Sequence, residues 1–241
     1  MRDILLLSTS TVHGTRFLEY AEAEIRTFLS GRATVLFVPY ARPSGMTHDA
    51  YTEAARGRLR DMGFDVAGLH ESADPAAAVM EAEAVFVGGG NTFVLLRELY
   101  ETGALEALRQ RALGGMPYMG SSAGSNLAGL TIGTTNDMPI VEPRSFRALG
   151  LVPFNINPHY LDPDPGSTHM GETRETRIAE FHRFNEQPVL GLREGAILRV
   201  EGDSARVVGS RGGRLFRAGS DATEVESGED VSFLLEVDLT A

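Results

Sequence analysis

Apolar runs at residues 4–7, 34–38 and 84–87, each short, unbroken and bounded by polar or glycine-rich sequence, constrain this chain more than any other feature. Runs of that kind mark strands covered on both faces, as in a parallel sheet. Helix-length segments lie between them. In residues 15–29, Phe17, Leu18, Ala21, Ile25, Phe28 and Leu29 recur at three- and four-residue intervals, so one helical face is apolar and packs on the sheet. Residues 47–62 repeat the pattern and close at Gly63, 64–69 read as a strand, and 73–82 read as a helix opened by Asp74-Pro75. Apolar positions from Leu95 to Leu108 form two helices broken near Thr102-Gly103. This repeated β-α-β unit predicts an α/β fold with a mainly parallel central sheet flanked by helices.

Further along, residues 149–156 and 189–192 are strand-like, and 172–184 form an amphipathic helix. From residue 196 the texture changes. After the run at 196–200, short β-prone runs at 206–208, 214–217 and 231–237, separated by glycine-rich turns, predict C-terminal antiparallel strands that extend or flank the main sheet. The 241 residues are read as one domain, residues 1–241, large enough to bury a core without staples.

Composition removes several function classes. There is no cysteine, which excludes disulfides, thiolate catalysis and cysteine-ligated metals, and fits a cytoplasmic location. The N-terminal apolar run is too short for a signal peptide or a membrane span. A formal charge of −11 opposes partnership with nucleic acid or anionic lipid.

Within this frame, PYMGSSAGSN at residues 117–126 places Gly120, Ser122 and Gly124 as Gly-x-Ser-x-Gly where an apolar run turns helical. A serine hydroxyl becomes a useful nucleophile on such a sharp strand-to-helix turn, where a base and oxyanion donors both reach it. The same pentapeptide also serves as a plain small-residue turn. Gly88-Gly89-Gly90-Asn91-Thr92 follows a strand and precedes a helix, exposing backbone N–H groups to an anion or an oxyanion. His159 follows the run ending at residue 156, so it can serve as base. His13, His48, His70 and His182 sit less suitably, while His169 competes for that role. A serine hydrolase assembled from these parts uses Ser122 to attack and His159 to take the proton. Ala123 N–H with Gly89 or Gly90 N–H meets the oxyanion. Each part follows a strand, and such connections share one edge of a parallel sheet. The competing metal site, His159 with Asp162 and Asp164 or His169 with Glu172, matches no recognised ligand spacing.

VGGGNTF at 87–93, GSSAGSN at 120–126, NPHYLD at 157–162 and GETRETRI at 171–178, in that order, resemble peptidase E. That family of aspartyl dipeptidases is related to cyanophycinases and has a class I glutamine-amidotransferase-like fold with serine in place of cysteine. The resemblance implies hydrolysis of dipeptides with an N-terminal L-aspartate, without metal or organic cofactor, and suggests a homodimer. It puts the nucleophile at Ser122, the base at His159 and the orienting acid at Glu194 of LREGA, with Asp137 as a further site residue. Ser121 is a departure, since relatives often carry tryptophan there. A substrate carboxylate entering an acidic protein needs a cation, for which Arg174 and Arg177 are candidates, beside Asn91 as a substrate-binding residue. Each arginine has helical glutamates, Glu172, Glu175 and Glu180, as alternative partners. A cyanophycinase-like hydrolase, a carboxylesterase and a non-catalytic amidotransferase-like binding domain remain the other readings.

Overall fold

The computed structural model describes residues 1–236 apart from 43–44, 165, 167 and 169. Its larger sheet has seven strands. Five are parallel: β1 (Asp3–Leu7), β2 (Thr34–Val38), β3 (Asp65–Gly68), β4 (Val85–Val87) and β5 (Tyr118–Ser121). The sheet is completed by β8 (Ala196–Glu201), antiparallel to β1, and by β9 (Ser204–Gly209) at the edge, giving the order β3-β2-β4-β5-β1-β8-β9. Along β1 the side chains alternate between faces as the pleat requires. Leu5 and Leu7 join a core with Ile25, Phe28 and Leu29 beside α1 (Glu22–Phe28) and Tyr51, Ala55 and Leu59 of α2 (His48–Asp61). Ile4 and Leu6 join a larger core on the opposite face. It includes residues of α3 (Pro75–Glu81), α4 (Thr92–Glu101), α5 (Ala104–Leu113) and α6 (Ala123–Leu127).

That second core also takes in Ile156, Leu190, Leu192, Leu215 and Val225. These belong to a second sheet of four strands, β11-β10-β7-β6, made of β6 (Asn155–Asn157), β7 (Val189–Leu192), β10 (Gly213–Phe216) and β11 (Thr223–Val225). Here β6 and β7 are parallel, while β10 runs antiparallel to both β7 and β11. Helix α7 (Arg174–Phe181) contributes Ile178 to a small cluster with Tyr160, Val189 and Phe216 against this sheet.

Local chemistry sets the boundaries. Thr47, Asp74, Asn91 and Thr173 each accept a backbone N–H from the first turn of α2, α3, α4 and α7 respectively. The expected helix over 15–29 is confined to α1, because Leu18 has φ 56° and donates its N–H to Ser10 O at 2.7 Å. Residues 149–154 are not strand: Leu149, Gly150 and Leu151 donate to the carbonyls of Leu127, Gly129 and Ala128. The run expected as strand at 231–237 is a 3₁₀ turn, Ser232–Glu236, among its described residues, and Val237 lies outside them. Among the described residues no helix is long and apolar enough to cross a membrane.

Candidate active site

β5 pairs with β1 on one side and β4 on the other and is buried throughout, so its carboxyl end is fixed in all directions. The chain then turns abruptly at Ser122, whose φ of 53° and ψ of −110° lie in a sparsely populated region for an L-residue. Its N–H donates to Leu7 O at 3.0 Å, and α6 begins at the next residue. The turn closes only around glycine: a Cβ on Gly124 would lie 2.2 Å from Val87 O, and one on Gly89 would lie 2.9 Å from Ser122 Cβ. The adjacent Ser121 points away. It is fully buried and its hydroxyl has no partner, whereas Ser122 Oγ lies 2.9 Å from His159 Nε2.

His159 comes from the other sheet. It follows β6 through Pro158, adopts φ 53°, and donates its backbone N–H to Ser8 Oγ at 2.9 Å. Tyr160 N–H donates to Leu192 O, tying this turn to the end of β7. The turn after β7 carries Glu194, whose Oε1 accepts from His159 Nδ1 at 2.7 Å. With Nδ1 donating to the carboxylate, Nε2 is left to accept the Ser122 hydroxyl proton. The histidine and glutamate side chains are 38% and 53% exposed, so water reaches the acid side of the array.

The remaining expected residues are distributed unevenly. A cleft of about 310 Å³ is lined by Thr92, Ser122, Ala123, Asn126, Asp137 and Arg174, among others. Asp137 does not touch His159. Its Oδ2 accepts from Thr92 N–H at 2.7 Å, Thr92 Oγ1 at 2.6 Å and Thr135 Oγ1 at 3.0 Å. Arg174, half-buried at the start of α7, has no carboxylate within ion-pair distance among the described residues. Burial, and then the nearby Arg177, weaken its hold on its proton relative to an ordinary arginine.

Four expectations are corrected. Gly89 N–H donates to the Tyr51 hydroxyl at 2.9 Å, which leaves Gly90 as the glycine N–H without an acceptor among the described residues. Asn91 caps α4 and donates Nδ2 to Met138 O, so it is a helix cap rather than a cleft residue. Arg177 is half-exposed and lies 3.7 Å from Glu172. The idea that every part shares one edge of one sheet also gives way, since base and acid sit on the four-stranded sheet.

Asp162, a component of the metal alternative, is engaged by Arg193 through two contacts of 2.7 Å. No cluster of three or more metal-ligating side chains occurs among the described residues, and His169 lies outside them. Sequence reasoning missed Ser8, Tyr51, Thr92 and Thr135. Thr92 lies within VGGGNTF and Thr135 two residues before Asp137, but nothing local to Ser8 or Tyr51 marks them.

Comparison with known proteins bears on the family and the fold. The model of peptidase family S51 matches residues 4–208. Peptidase E of Streptomyces coelicolor is 58% identical over 235 residues, covering 98% of this chain and 96% of its own. A "probable alpha-aspartyl dipeptidase" of Drosophila melanogaster is 51% identical over 238 residues and 98% of each chain. The crystal structure of a peptidase from an acI-B1 Actinobacterium superposes with a TM-score of 0.72 over 97% of each chain, at 17% identity, and so speaks to the fold. A strained serine turn on one sheet, a histidine and glutamate from another, and two full-length relatives lead to one conclusion: the chain belongs to peptidase family S51.

Proposed function

We propose that this protein is a serine dipeptidase that hydrolyses Asp-Xaa dipeptides through an acyl-enzyme on Ser122. The observation that carries the reading is the unbroken chain from Ser122 Oγ through His159 to Glu194, opening on a cleft that holds an arginine without a carboxylate in ion-pair distance among the described residues. His159 Nε2 takes the hydroxyl proton as Oγ bonds to the carbonyl carbon of the aspartyl residue. Glu194 steadies the imidazolium that forms, and the N–H groups of Gly90 and Ala123 meet the oxyanion. The imidazolium then protonates the departing amine of Xaa as the C–N bond breaks. Water, deprotonated by His159, cleaves the ester and releases aspartate. Arg174 grips the substrate β-carboxylate, and Asn or Ala in its place would leave the guanidinium without an anion.

The relatives' printed names support peptidase chemistry and, for the Drosophila protein, the aspartyl preference. The test is a panel of aminoacyl p-nitroanilides given to the wild type, Arg174→Met and, as blank, Ser122→Ala. Ser122→Ala is expected to lose at least about 10⁴-fold in kcat. Arg174→Met is expected to lose about 10²-fold in kcat/KM on the aspartyl substrate while changing little on the alanyl one. Retained turnover by Ser122→Ala, or equal losses on both substrates by Arg174→Met, would refute the respective assignment.

A further inference from the structure

Asp137 sits in the reaction cleft without a role in the proton relay. Both ring nitrogens of His159 are already engaged, one by Ser122 and the other by Glu194. Three hydrogen bonds nevertheless converge on one Asp137 oxygen: the N–H and hydroxyl of Thr92 and the hydroxyl of Thr135 all reach Oδ2. The Thr135 hydroxyl also contacts Thr92 Oγ1 at 3.1 Å, so the two threonines form one braced cradle. Oδ1 accepts no hydrogen bond among the described residues and is not among the buried orphaned atoms. One oxygen is anchored to protein and the other is left open.

The position of the anchor is informative. Thr92 is the first residue of α4 and lies two residues after Gly90, whose N–H is a proposed oxyanion donor. Asp137 is thus bolted to the segment that receives the scissile carbonyl oxygen. In an N-terminal residue the ammonium nitrogen is carried by the carbon bonded directly to that carbonyl, so a group that binds it must sit beside the oxyanion donors. Among the described lining residues Asp137 is the one carboxylate and Arg174 the one guanidinium. An N-terminal aspartate presents the complementary pair, an ammonium on Cα and a carboxylate one methylene away on the side chain.

Resting on the dipeptidase reading above, we propose that Asp137 binds the free α-ammonium of the substrate through Oδ1, and so restricts the enzyme to unblocked N-termini. Acylation of the amine removes its charge, adds bulk and leaves the Asp137 carboxylate unpaired in a partly desolvated cleft. The restriction follows from those costs. Asp137 is therefore a specificity residue that supplies negative charge for the substrate ammonium.

The test compares three anilides: aspartyl p-nitroanilide, its N-acetyl derivative, and succinic acid mono-p-nitroanilide, which is the same molecule without the amino group. The wild type is expected to favour the aspartyl compound over both others by at least about 10²-fold in kcat/KM. In Asp137→Asn that preference over the des-amino compound is expected to collapse to within about threefold, chiefly by loss on the aspartyl compound. Labelling of the variant by a serine-directed phosphonate reports that the nucleophile is still assembled. A wild type indifferent to the amino group, or a variant that loses equally on both compounds, overturns the proposal. If the variant does not fold, product inhibition of the wild type decides: L-aspartate is expected to bind at least about tenfold more tightly than succinate. Equal inhibition overturns the assignment. Failure of the wild type to cleave any aspartyl anilide would instead refute the underlying dipeptidase reading.

Discussion

On the seven-stranded sheet the nucleophile is held by backbone. Ser122 occupies a positive-φ turn, its N–H is tied to Leu7 O, and its surroundings leave no space for a Cβ at Gly89 or Gly124. On the four-stranded sheet backbone bonds, such as that from Tyr160 N–H to Leu192 O, are supplemented by side chains that join the base-bearing turn to the acid-bearing one. Arg193 grips Asp162 with two hydrogen bonds, reaches Glu224 on β11, and lies 5.7 Å over the Tyr160 ring. It thereby staples the turn bearing His159 to the turn bearing Glu194. Backbone placement is all-or-none because a close-packed turn has no alternative arrangement. A side-chain staple at a wet surface degrades by degrees. The two halves of the site should therefore differ in how steeply they fail.

Gly89→Ala attacks the first half most directly, since the new methyl group would press on Ser122. A loss of about 10³-fold in kcat is expected, with about 1–3 kcal/mol of destabilisation in denaturant melts. Activity within threefold of wild type would break the backbone account. Glu194→Gln keeps the shape of the second half but removes its charge. Because Glu194 is half-exposed, about 10²-fold in kcat should be lost with no change in thermal midpoint. A loss as steep as that of Ser122→Ala would erase the distinction between the two halves.

The smallest effect belongs to Arg193→Met, about tenfold in kcat and on the order of 1 kcal/mol in stability at neutral pH. Its pH dependence sharpens the comparison. Hydrogen bonding to Arg193 holds the Asp162 carboxyl below its ordinary value of 3.8. A depressed acid contributes stability that is complete above its unfolded value and vanishes as pH falls through its folded one. The wild-type advantage over Arg193→Met should therefore be constant at neutral pH and shrink below about pH 4. An advantage persisting in acid would place the staple's contribution in packing rather than charge.

The same division governs how much could be read beforehand. Continuous apolar runs revealed the parallel strands and the break at Gly103, because burial on both faces and a left-handed glycine leave local marks. The serine turn was legible in part because Gly120 is forced from within the motif, where a Cβ would lie 2.5 Å from Gly124 O. The four-stranded sheet was not: β7 and β10 were read as strands, but β6 pairs with β7 across an intervening helix and no local pattern shows which strands pair. Asn91 and Gly89 were misassigned for a related reason. A helix cap and a hydrogen bond to a distant tyrosine hydroxyl engage groups that the motif leaves nominally free. Leu149 through Phe154 are buried as expected, yet their backbone bonds turn to the α6 region instead of a sheet.

The end of β1 gives the two halves a common datum. Leu7 O receives the Ser122 N–H, and also the Ser125 hydroxyl at 2.7 Å, while the very next residue, Ser8, receives the His159 N–H and passes its own proton to Leu192 O. In any assembly, the error in a gap is the sum of errors along the shortest chain of fixings between its faces. Here that chain is one peptide unit long. The gap between nucleophile and base is thus gauged by a single dipeptide, Leu7-Ser8.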